Sequence, residues 1–251
     1  MRKLSFKLMS MLLIATITIL GCSSNSDDTD GGETTGTLHE AFADFDVTET
    51  DIYLDGTTVV IETTGNPNHT TPYWGTGHAL YVAPTVATAL TPSLITGYDG
   101  SATLRVSTDP SLASSSTATS LGAIGISISG ATIFNDQEGN GDLSSAVVSL
   151  DYSGGHIGPA EYHYHLEPKA WSDDDEDLIG IISDGFFIYG RKCNSTGTYP
   201  TDLDTSGGHT STTQHTTSAE YHYHIINDLY TTTGRYLLFA GPYKGTPNAI
   251  N

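Results

Sequence analysis

The chain writes one chemically loaded tetrapeptide twice, Tyr162-His163-Tyr164-His165 and Tyr221-His222-Tyr223-His224. Successive side chains of a strand point to opposite faces, so each pair of histidines shares one face and each pair of tyrosines the other. Histidines two apart on a strand have Cβ atoms roughly 7 Å apart, close enough for both imidazoles to lean onto one metal ion. The tyrosine face supplies buried area that locks the strand, and a metal site needs such rigidity. Upstream of each tetrapeptide stands a second element, Asp151-Tyr152-Ser153-Gly154-Gly155-His156 and Asp204-Thr205-Ser206-Gly207-Gly208-His209. It reads as a loop whose glycines permit positive φ.

The proposed ligands are therefore His163, His165, His222 and His224, with His156 and His209 as further ligands or supports. Asp151, Asp204 and Asp184 are candidates to accept the second imidazole N–H or to share the pocket. Such a set favours copper or zinc over magnesium or calcium. The same residues admit other readings. A metalloenzyme needs an open coordination position. A carbohydrate-binding or small-anion-binding module would leave the histidines structural, as most strand histidines are. Cys193 is either a small buried apolar residue or a thiol open to a metal or partner.

The elements that must position these residues read as all-β. Thr, Ser, Gly, Val, Ile and Tyr dominate, and turn dipeptides recur at short intervals. Asp51 to Glu62 reads as a hairpin about Asp55-Gly56, and a strand is expected near Thr103 to Ser107. From residue 121 the chain repeats itself. Ile124-Gly125-Ile126 leads through Ser129-Gly130 to Ile133-Phe134, and Ile179-Gly180-Ile181 leads through Asp184-Gly185 to Ile188-Tyr189. The expected fold is a sandwich-like domain built on a tandem pseudo-twofold repeat of hairpin plus Tyr-His-Tyr-His strand, residues 121–166 and 178–226. Matching residues of such copies meet near the axis, so the two histidine sets are expected to converge.

The doubled tetrapeptide, the Gly-Gly-His before each, and Asp184-Gly185-Phe186-Phe187-Ile188-Tyr189-Gly190 resemble the YHYH-domain family. Asn66-Pro67-Asn68-His69 also fits its N-terminal part. Phe187 stands where that family carries proline, and Ser129-Gly130-Ala131 stands for its Asn-Gly-Val turn. The resemblance spans about residues 60–245 and implies little about activity.

The N-terminus predicts export. Arg2, Lys3 and Lys7 precede an apolar run, Leu8 to Leu20, that is too short to span a bilayer comfortably. Ile19-Leu20-Gly21-Cys22 looks like a lipobox, which makes 1–21 a signal peptide and Cys22 the lipidated end. Residues 22–38 then form a flexible tether and 39–251 a single β domain. The expected location is the cell envelope, at the outer membrane, with the lipid on Cys22 as membrane partner. The chain holds 9 Lys plus Arg against 29 Asp plus Glu. The signal removes three of those bases and no acid, and so acidic a surface repels nucleic acid. Calcium is an alternative ion for the acidic loops. Asp136 to Asp142 resembles the start of a calcium loop, but Val147 stands where its closing acid should be. Asp173 to Asp177 reads as a charged linker. Trp74 and Trp171 read as ordinary packing or as a sugar platform.

Overall fold

Gly56 takes the positive φ (63°) that the Asp55-Gly56 turn requires, and it closes the predicted hairpin. Strands β1 (Thr50–Asp55) and β2 (Thr58–Thr63) pair antiparallel over six rungs, and β3 (Ala102–Ser107) adds on the far side of β2. The computed structural model describes residues 36–84, 93–139, 141–158, 160–230 and 233–251, which belong to the unit Thr34–Asn251. The signal segment and Cys22 lie outside the described residues. Among the described residues helix is confined to short 3-10 turns, of which Glu40–Asp44 is the longest. No helix among these residues is long and apolar enough to cross a membrane.

The second sheet has eight strands. The first set is β4 (Gly125–Ser127), β5 (Thr132–Ile133), β8 (Gly155–Ile157) and β9 (Tyr162–Tyr164). The second is β10 (Leu178–Ile182), β11 (Phe187–Tyr189), β12 (Gly208–Thr213) and β13 (Thr216–His224). Their order is β12-β13-β11-β10-β4-β5-β9-β8. Inward from either edge the pairings run antiparallel, then parallel, then antiparallel. At the centre β4 and β10 pair antiparallel, Ile126 opposite Ile181. A Cβ on Gly180 would sit 2.3 Å from the Ile126 carbonyl oxygen, and one on Gly125 2.6 Å from that of Ile181, so this close approach requires glycine in both strands. Two small ribbons complete the strands, β6 (Gln137–Glu138) with β7 (Gly141–Asp142), and β14 (Leu229–Tyr230) with β15 (Arg235–Tyr236).

Each face of the large sheet has its own core. On one, Val59, Ile61, Leu104 and Val106 of the small sheet pack on Ile126, Leu178, Ile181, Phe187 and Tyr189. On the other, Ile124, Ile133, Ile179 and Ile188 join Tyr162, Tyr164 and Tyr223 beneath Tyr73, Trp74 and Phe239. Each fully buried side chain of this size contributes about 1.5–3 kcal/mol. Tyr189 is paired with His224 and Ile188 with Tyr223, so the histidines share the face that the small sheet covers, and the tyrosines fill the opposite core.

Candidate metal centres

The histidines gather into two clusters, not one. Glu138, His156, His163 and His165 bring one ligand atom each within 4.8 Å of one another, and Cys193, His209, His222 and His224 do the same. Strands β9 and β13 stand five spacings apart, roughly 24 Å along the sheet. The expected convergence is thus corrected. The two strand sets meet through β4 and β10, which leaves both Tyr-His-Tyr-His strands toward the flanks. Within each half, His156 lies directly opposite His163, and His209 opposite His222. The loops before them turn through Gly154 (φ 82°) and Gly207 (φ 81°).

In the first centre His156 Nε2 lies 3.1 Å from His163 Nε2, which lies 3.0 Å from His165 Nε2. Glu138 Oε1 stands 2.9 Å from His156 Nε2, 2.7 Å from His165 Nε2 and 3.9 Å from His163 Nε2. In the second, His222 and His224 Nε2 are 3.1 Å apart, and Cys193 Sγ is 3.5 Å from His209 Nε2. An ion 2.0–2.1 Å from each nitrogen would see those nitrogen pairs at about 95–100°, and with sulfur at 2.3 Å would see the last pair at about 107°. The ring nitrogens are thus spaced for a compact shell about one ion, in which Glu138 Oε1 would subtend about 80–90° with His156 and His165 and about 140° with His163.

What stands behind the rings decides their chemistry. His165 Nδ1 donates to the Asn135 carbonyl at 2.6 Å, and His224 Nδ1 to that of Gly190 at 2.7 Å. His163 and His222 face the carbonyls of Glu161 and Glu220 in the same way, at 3.3 and 3.1 Å. His209 Nδ1 donates to the Asp202 carboxylate at 2.9 Å. His156 Nδ1 meets the Ser149 hydroxyl at 2.7 Å, and that hydroxyl gives its own proton to the Ala146 carbonyl. A neutral imidazole has one N–H. All six have an acceptor at Nδ1 to take it, which frees the Nε2 lone pairs for an ion; in the metal-free site a proton shared at Nε2 links Glu138 to its imidazoles.

Burial reinforces this. It pushes the His163 pKa down to about 3, and those of His222 and His224 down to about 4, with the neighbouring imidazoles adding to the effect. Burial works in the opposite direction on Glu138, but its hydrogen bonds with His156, His163 and His165 outweigh it, and the carboxyl is held well below its usual range. For Cys193 too burial raises the thiol pKa, while contacts with Ser195, Ser211 and His209 bring it below its ordinary value.

Asp151, Asp204 and Asp184 touch none of the six imidazoles; they hold the tyrosine faces. Tyr162 donates to Asp151 at 2.8 Å, Tyr221 to Asp204 at 3.2 Å and Tyr223 to Asp184 at 2.6 Å. Tyr164 meets Ser129 instead, at 2.8 Å. Their place as imidazole acceptors is taken by backbone carbonyls, Ser149 and Asp202.

Sequence reasoning missed Glu138 as a candidate ligand and left Cys193 open. Glu138 sits within the supposed calcium loop, where β6 turns it inward. Position would have found both: Glu138 is five residues after Ile133, and Cys193 five after Ile188. Two of the linker acids engage bases, Asp173 with Lys169 at 3.3 Å and Asp174 with Lys192 and Arg191, each at 3.1 Å, and Asp175 accepts from Ser172 at 2.7 Å. Trp74 is buried and stacked on His78, and Trp171 packs edge-on to Tyr164.

No curated protein and no solved structure matches this chain. A family model described as YHYH protein matches residues 103–201, which takes in the first tetrapeptide and its centre and ends before the second. The chain therefore carries a YHYH domain, as its repeated residues implied.

Proposed function

We propose that this protein is an envelope lipoprotein, held by a lipid on Cys22, whose YHYH domain binds transition-metal ions, copper or zinc, at two centres. One observation carries the reading: in each cluster three imidazole nitrogens and one acidic side chain, the Glu138 carboxyl or the Cys193 thiol, share a single small volume. With the acidic proton lost, all four are acceptors. A proton reconciles one pair of them at a time, and burial disfavours that proton; a metal ion reconciles all four at once. Imidazole with carboxylate or thiolate is a donor set for zinc and copper, not for magnesium or calcium.

The twofold reading of the fold supports two centres. The strand order has the same pairings from either end, and Ile126 lies opposite its sequence counterpart Ile181. Each half then carries a complete set: a hairpin, a ligand five residues past its isoleucine, a Gly-Gly-His loop and a Tyr-His-Tyr-His strand.

Elemental analysis of the protein purified without a histidine tag or chelator tests the proposal. The expected result is near two ions of copper or zinc per chain. A His163→Ala/His165→Ala variant should keep one ion, and a variant also carrying His222→Ala/His224→Ala should keep none. Protein that is folded, metal-free and unchanged in melting on adding Cu²⁺ or Zn²⁺ would overturn it.

A further inference from the structure

Glu138 and Cys193 hold the same place in the two halves, and every other ligand is shared. Asn135 and Gly190, whose carbonyls hold His165 and His224, also correspond, each two residues past the matched isoleucine. Ser149 and Asp202, which hold His156 and His209, each stand seven residues before their histidine. The halves thus build one imidazole frame and place a carboxylate in one and a thiol in the other.

Building on the two-centre reading, we infer that the centres are chemically unequal: the Cys193 centre selects a soft ion, Cu(I), and the Glu138 centre a borderline divalent ion, Zn²⁺. A thiolate is a soft, polarizable donor and a carboxylate a hard one, so the single exchanged ligand separates ions that three imidazoles alone would share. Charge and the burial of the exchanged ligand act in the same direction. Cys193, His222 and His224 are all at most 2% exposed, and His209 is buried. Loss of the thiol proton on binding Cu(I) leaves a centre with no net charge, which a buried site tolerates best. A divalent ion with one carboxylate keeps a unit of positive charge, and Glu138 meets it at the sheet's flank with its side chain 19% exposed.

The test loads the full-length protein with Zn²⁺ and titrates it anaerobically with Cu(I) held by a competing chelator. The expected result is one tight Cu(I) per chain displacing one of two zinc ions. Cys193→Ser should weaken that Cu(I) by about 100-fold or more, the upper end of what even an outer-shell partner is worth to a metal site. Glu138→Gln should leave it unchanged. Co²⁺ loading gives a second readout: a thiolate-to-metal charge-transfer band from one ion of two, absent in Cys193→Ser. Should Cys193→Ser fail to fold, Glu138→Cys serves in its place and should create a second tight Cu(I) site. Two ions bound with equal preference at both centres, or Cu(I) affinity indifferent to Cys193, would overturn the inequality and leave metal binding standing. No ion at either centre would overturn the metal reading itself, and the inequality with it.

Discussion

Acid should unfold the metal-free protein well above the pH at which its carboxylates protonate. Unfolded histidines titrate near pH 6.5, whereas burial holds His163 at about 3 and His222 and His224 at about 4. Between those limits the unfolded chain takes up protons that the folded chain refuses. Stability is therefore complete above about pH 6.5 and is lost as the pH falls toward 4. At pH 5 each of the three histidines costs about 2 kcal/mol, together about 6 kcal/mol, which rivals the whole stability of a small domain. The carboxyl of Glu138 is held low, so its own contribution persists through this window and disappears only beneath it. Urea unfolding of chelator-treated protein at pH 7.5, 7, 6 and 5, followed by tryptophan fluorescence, measures the effect. The midpoint should hardly differ between 7.5 and 7 and should fall steeply below 6, with up to about 4 kcal/mol lost per pH unit. A His163→Ala/His222→Ala/His224→Ala variant should show a much flatter profile. A wild-type midpoint that stays constant from pH 7.5 to 5 would refute the claim that these rings are held neutral by burial.

Three further outcomes follow from the same geometry. Replacing the Nδ1 acceptors one centre at a time, Ser149→Ala or Asp202→Ala, should weaken metal binding by about 10–100-fold at that centre alone, read by chelator competition. Tyr223→Phe removes the phenol that donates to buried Asp184 and should cost about 1–3 kcal/mol in urea unfolding while leaving the metal count unchanged. Gly180→Ala forces a Cβ against the Ile126 carbonyl and should destabilise by about 1–3 kcal/mol or more, measured as a lower melting temperature.

Much of this arrangement is legible in the sequence. Alternation placed His163 and His165 opposite Tyr162 and Tyr164, and the buried tyrosine core has that parity. Asp55-Gly56 and the strand near Thr103 read correctly because turn chemistry and β-branched runs are local signals. The distance between the two histidine sets was not legible. It depends on which strands meet at the centre, a long-range choice made by Gly125 and Gly180, whose bare backbones alone permit that contact. The aspartates misled for a related reason. A carboxylate near a histidine in sequence suggests an imidazole partner, but Asp151 lies in the loop before β8, where its carboxylate accepts from the Ser153 and Gly155 N–H groups and from Tyr162, and so it ends among the tyrosines.

Glu138 and Cys193 show how duplication could have been read further. The repeat was recognised by its identical residues, yet the informative position is the one where the copies differ. Once each half is required to close its own shell of three imidazoles, a fourth ligand has to come from the stretch after the β5 or β11 isoleucine. In both sets that stretch also supplies a carbonyl to the cluster, Asn135 to His165 and Gly190 to His224. The residue facing the cluster is glutamate in one and cysteine in the other. A structural histidine cluster would need neither to be ionisable. A frame kept in duplicate with an anionic donor at the matched position of each copy is what a pair of metal sites requires, and the exchange of oxygen for sulfur is the smallest change that would give the two sites different ions.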